Sequence, residues 1–243
     1  MRRLLLFPIL VLMGCGTETA SWTSDDAAET IDERAFHAAV SALEELYQDD
    51  IDAADASLRV SRDWLSDREA AWSARSGNTW RMWVYGGIAR RSELTLDGWR
   101  AILCHEMGHF FGGDPIGSGG LAAEAQADYY AMATCLPRLW ADEDNLDADA
   151  TEQNPHLPEA THALCATLES DEAAAICRRS LRAGWTTLHM AAASRGQEPP
   201  DFLTPDETVV DRTTLRYPPV QCRLDTYLAG ALRADRPSCW FAD

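Results

Sequence analysis

The chain has 243 residues, 46 % of them hydrophobic, which leaves room for one domain with a sizeable core. Its 39 acidic and 21 basic residues give a formal net charge of −18, which argues against nucleic acid and against anionic membrane surfaces as partners. Beyond the first residues no run of 18 apolar residues occurs, so nothing further along the sequence is expected to span a membrane.

Met1-Arg2-Arg3 is a short basic start, and Leu4 to Met13 is an apolar segment too short to cross a bilayer. It closes on Leu12-Met13-Gly14-Cys15, which resembles the lipobox of bacterial lipoproteins. That resemblance implies a signal peptide over residues 1–14, acylation of Cys15, and a lipid-anchored protein of the bacterial cell envelope facing the periplasm or exterior. An ordinary secretory leader is the alternative reading. Loss of Arg2 and Arg3 makes the mature chain more acidic by two charges. Residues 15–29 are small, polar and acidic and read as a flexible tether, and residues 30–243 read as a single domain.

Phe36, Val40, Leu43 and Tyr47 recur at helical spacing between Ile31 and Asp50 and predict an amphipathic helix. A short strand is expected over Leu58–Trp64. After a turn at Gly77-Asn78, the alternation in Trp80–Tyr85 predicts another strand, continued through Gly86-Gly87 to Arg90. Two glycines on an edge strand would let a second backbone approach, and a plain turn at Gly86-Gly87 is the equal alternative.

The next helix is expected from Leu96 to Phe111, capped by Thr95 or Asp97 and ended by Gly112-Gly113. It carries His105-Glu106-Met107-Gly108-His109. The two histidines lie one turn apart on one face, a spacing at which two imidazoles bind one divalent metal, most often zinc. Glu106 beside them suits proton acceptance from water at such a site. A loop with Asp114-Pro115 and Gly117–Gly120 leads to an Ala-rich helix over Leu121–Cys135, which Pro137 is expected to stop. There Glu124 and Asp128 again share a face. The two motifs together resemble the gluzincin metallopeptidases, in which H-E-x-x-H is completed by E-x-x-x-D on a following helix. The order of elements from Trp72 to Cys135 resembles their HtpX-like and prenyl-protease-like branch, although Trp72-Ser73-Ala74 stands where that branch usually has Asn-Ala. The resemblance implies one catalytic zinc on His105, His109 and Glu124, with Asp128 orienting a ligand imidazole. It also implies a zincin-like fold, so that the expected class is α+β, mostly helical, with a small edge sheet.

The C-terminal half reads as helical and disulfide-containing. Residues 141–158 form an acidic insertion, read as a flap over the cleft; helices follow over Asp171–Ser194 and Val220–Leu232, and the Pro237–Phe241 tail reads as an aromatic plug. Six cysteines follow Cys15, an even number that suits disulfides in an exported chain. Cys165 is expected to pair with Cys177 across an acidic turn, and Cys222 with Cys239 because Pro237 can fold the tail back. Cys104 reads as a small core residue. A zincin also needs a donor for the tetrahedral oxyanion. Tyr129, Tyr130, His189, Tyr217, Arg223 and Tyr227 are the candidates, with Arg223 and His189 favoured. The expected function is zinc-dependent hydrolysis of peptide bonds in peptide or protein substrates. The competing class is a catalytically inactive zincin-like lipoprotein with a structural or binding role in envelope assembly.

Overall fold

The computed structural model describes residues 31–151 and 156–242, so the leader, Cys15 and the tether lie outside the described residues. Helix α1 (Glu33–Ala53) begins where the Asp32 carboxylate accepts the Ala35 amide at 2.7 Å. Its stripe of Phe36, Val40, Leu43, Tyr47 and Ile51 is buried against the rest of the fold.

Three strands follow: β1 (Ser57–Asp63), β2 (Ala71–Ser76) and β3 (Thr79–Tyr85). Their order is β1-β3-β2, with β1 parallel and β2 antiparallel to β3. The Trp80–Tyr85 strand is therefore central, not an edge. Trp80, Met82 and Val84 point into the core, while the residues between them are less buried. The edge beside the histidine helix is β2.

The expected continuation of β3 does not occur. Gly86 starts a one-turn helix, α2 (Gly86–Ala89). A Cβ on Gly86 would lie 1.9 Å from the Trp64 carbonyl oxygen, and one on Gly87 would lie 2.4 Å from the Asp67 carbonyl. The two glycines thus admit the protein's own 64–68 turn, not a second chain.

Helix α3 (Leu96–Phe111) starts at Thr95, whose hydroxyl accepts the Gly98 amide at 3.0 Å. Helix α4 (Glu124–Tyr130) passes through a π-turn at Ala131–Cys135 into α5 (Leu136–Leu139). Pro137 does not stop this helix. It sits in the first turn of α5, directly after the π-turn. Four helices complete the described fold: α6 (Asn145–Thr151), α7 (Glu159–Cys165), α8 (Asp171–Ala193) and α9 (Val220–Ala231). The acidic stretch expected as a flap instead places α6 on α8, with the Asp149 carboxylate held between Arg178 and Arg182. The fold is α+β and mostly helical, with one small sheet. Among the described residues no helix is long and apolar enough to cross a membrane.

Three disulfides staple the helices. Cys165–Cys177 joins α7 to α8, and Cys222–Cys239 holds the C-terminal tail on α9, where Trp240 is fully buried. Cys104 is not a plain core residue. It bonds to Cys135 and ties α3 to the π-turn after α4. Closing that loop, with a sequence separation of 31, removes unfolded-state entropy worth about 3–4 kcal/mol in the chain-entropy account.

Candidate metal centre and cleft

Helix α3 is held at its start by α8. Arg179, itself buried, meets the Asp97 carboxylate through Nε at 2.6 Å and Nη2 at 3.1 Å, and stacks over Trp140. Further along α3, Gly108 faces α4 so closely that a Cβ there would lie 2.7 Å from the Ala127 carbonyl oxygen. The glycine inside the histidine motif is what lets α4 approach. That approach, locked by Cys104–Cys135, brings Glu124 and Asp128 over the histidines.

Both imidazoles are oriented from behind. His105 Nδ1 lies 2.7 Å from Asp128 Oδ1, and His109 Nδ1 lies 3.0 Å from the Ala122 carbonyl oxygen. A carbonyl and a carboxylate only accept, so each Nδ1 carries the proton and each Nε2 presents its lone pair. Both lone pairs meet the same atom. Glu124 Oε2 is 3.3 Å from His105 Nε2 and 3.5 Å from His109 Nε2. It is buried and has no well-formed hydrogen bond. Three acceptors within 4.8 Å of one another repel unless a metal ion lies between them or an imidazole takes up a second proton. Ligand bonds of about 2.0–2.1 Å in tetrahedral geometry put ligand atoms roughly 3.3–3.4 Å apart, close to the two separations from Glu124 Oε2, so the donor set suits zinc. Among the described residues no fourth His, Cys, Asp or Glu joins these three ligand atoms.

The surrounding charges agree. Burial opposes protonation of His105, yet Asp128, Glu124 and Glu106 outweigh it and push its pKa up to about 10 in the metal-free protein. The pocket demands a positive charge, and a proton supplies it when no metal does. Burial also works against the Glu124 carboxylate, but the two imidazoles and Tyr217 hold it below the usual range. Asp128 is fully buried and fully used. It accepts from His105, from Arg223 Nε at 2.7 Å and from Arg223 Nη2 at 2.9 Å. Despite its burial, Arg223 and His105 keep its carboxyl well below the ordinary carboxylate pKa.

The chain matches no family model, no curated protein and no solved structure. The reading of the site therefore rests on its own geometry.

Glu106 opens onto a cavity of about 140 Å³, walled by Ala71, Ile88, Ile102, Met190 and Ala191, with Tyr217 and Arg223 at its polar side. None of residues 141–151 or 156–158 lines it. Of the oxyanion-donor candidates, His189 is not brought to this cavity; its ring packs on Trp185 with centroids 4.6 Å apart. Tyr129 donates to the Ala234 carbonyl, and Tyr130 pairs with Tyr47. Tyr227 lines the cavity floor and its hydroxyl meets Thr187. Arg223 reaches the cavity but spends two of its nitrogens on Asp128. Tyr217 remains, half-exposed, its ring stacked under Arg223 at 4.9 Å and lying 6.5 Å from the His105 ring. Asp114 stays outside the ligand set, and its carbonyl takes a hydrogen bond from Arg236. A second cluster, Asp206 with Cys222 and Cys239, offers no thiolate because its cysteines are joined.

Sequence reasoning missed Ser73. Its hydroxyl lies 2.7 Å from Glu106 Oε2. The strand at Ala71–Ser76 is not among the expected elements, so the only signal was a small polar residue at the point where the sequence departs from the gluzincin-like pattern it resembles.

Proposed function

We propose that this protein is a zinc-dependent endopeptidase of zincin-like fold and gluzincin type, anchored in the bacterial cell envelope through acylated Cys15. The observation that carries the enzymatic reading is the convergence of His105 Nε2, His109 Nε2 and Glu124 Oε2 within 4.8 Å of one another, with Glu106 beside them on the cavity wall. A structural zinc site is closed by four protein ligands, and the three here leave room for substrate chemistry. When bound, zinc supplies Lewis acidity toward a carbonyl and lowers the pKa of a water toward about 7.

The protein's own groups divide the remaining work. Glu106 accepts the proton of the attacking water and carries it to the leaving amine. Asp128 keeps His105 in the ligating tautomer, and Arg223 keeps Asp128 charged. Tyr217 stands at the polar side of the cavity and donates to the oxyanion that forms on the attacked carbonyl. The wall of Ala71, Ile88, Ile102, Met190 and Ala191 carries no charge, so it suits an aliphatic side chain next to the scissile bond.

The purified mature protein, incubated with a mixed peptide library, is expected to cut beside aliphatic residues and to stop when zinc is chelated. Cleavage that persists after complete metal removal, or none at all from the zinc-loaded protein, would overturn the reading. The anchor is tested separately: a labelled fatty acid should mark the wild type and not Cys15→Ser. Tyr217→Phe keeps the ring over Arg223 and removes only the hydroxyl. Its kcat is expected to fall about 100-fold with KM within twofold, and an unchanged kcat would assign the oxyanion to another donor.

A further inference from the structure

We infer that Ser73 is a positioning residue that fixes the Glu106 carboxylate for proton transfer, an inference that rests on the peptidase reading. Glu106 is buried, and among the described residues its carboxylate has one hydrogen-bond partner, the Ser73 hydroxyl at 2.7 Å. The same hydroxyl lies 3.2 Å from the Glu106 carbonyl oxygen. A serine has one proton to give, and the shorter, charge-assisted contact takes it, so Ser73 Oγ donates to Oε2.

The donor is on a stiff support. Ser73 lies on β2, in register with the fully buried Met82 of the central strand, so the sheet fixes its height above α3. Ala71, on the same side of β2, lines the cavity, and its small side chain keeps the path to the carboxylate clear. A glutamate has three side-chain torsions, and its terminal one is broad, so packing along the stem leaves the carboxylate free to turn. Binding Oε2 removes that freedom and leaves Oε1 to receive the proton. A misplacement of about 1 Å at a reacting group costs about 100-fold in rate. Loss of one restraint in a pocket that still confines the stem is expected to cost about tenfold.

The test compares kcat, KM and bound zinc in the wild type, Ser73→Ala, Ser73→Thr, Glu106→Gln and the Ser73→Ala/Glu106→Gln double variant. Ser73→Ala should lose about tenfold in kcat while KM and zinc stay at wild-type values. Ser73→Thr keeps the hydroxyl on a residue that favours strands, and should restore kcat to within about twofold. In the Glu106→Gln background, Ser73→Ala should cause no further loss, because the group it positions no longer accepts a proton. Wild-type kcat in Ser73→Ala overturns the inference alone. So does an undiminished tenfold loss in the double variant, or loss of zinc with Ser73→Ala, since either makes Ser73 a general support of the cleft. Equal turnover by wild type and Glu106→Gln removes Glu106 from the mechanism and this inference with it, whereas no turnover by the zinc-loaded wild type overturns the peptidase reading beneath it.

Discussion

Turnover of a cleaved peptide by Glu106→Gln is expected to fall by about 100-fold or more, with zinc still near one per chain. Glutamine keeps the length and volume of the side chain. Its carbonyl oxygen can still accept from Ser73, so the carboxamide should sit where the carboxylate sits. What is lost is the capacity to take a proton. Because Glu106 is not among the three converging ligand atoms, metal content has no reason to follow activity. Metal analysis and peptide kinetics on the same preparation separate the two quantities. Unchanged turnover would remove Glu106 from the mechanism.

The parts of the fold that were legible in advance are those in which one local pattern decides the outcome. Phe36, Val40, Leu43 and Tyr47 make a helical stripe, and Thr95 and Gly112 bracket the histidine helix at Leu96–Phe111. The disulfides Cys165–Cys177 and Cys222–Cys239 were also legible, because each pair is separated by a single turn or tail that folds back. Long-range pairing was not legible. Nothing within Trp80–Tyr85 reveals that β1 and β2 flank it on both sides, which is why the edge role was assigned to the wrong strand. Cys104 and Cys135 are joined only because α4 folds back along α3, a close approach that depends on Gly108 lacking a side chain. The same distance in sequence hid Ser73 from Glu106 and put Tyr217, not His189, at the cavity.

An ordering of metal loss tests the arrangement of acidic groups. Glu124 brings Oε2 to within 3.5 Å of both imidazole Nε2 atoms, whereas Asp128 lies behind His105 and Asp114 stays outside the ligand set. Glu124→Ala should therefore lose zinc and activity together, because two neutral imidazoles alone make a weak site. Asp128 needs a gentler probe than alanine. It is fully buried and shared between His105 and Arg223, so truncation to alanine takes every acceptor as well as the charge from a buried guanidinium and imidazole, a change that costs on the order of 3–5 kcal/mol when a buried ion pair is broken. Asp128→Asn keeps the shape and one acceptor for His105 Nδ1. It should weaken zinc by about 10- to 100-fold and also lower the melting temperature. Asp114→Ala should leave zinc binding nearly intact. Zinc affinity and thermal unfolding measured on the three variants give the ordering. Full occupancy in a folded Glu124→Ala would show that the converging carboxylate is not a ligand, and the zinc-peptidase reading would fall with it.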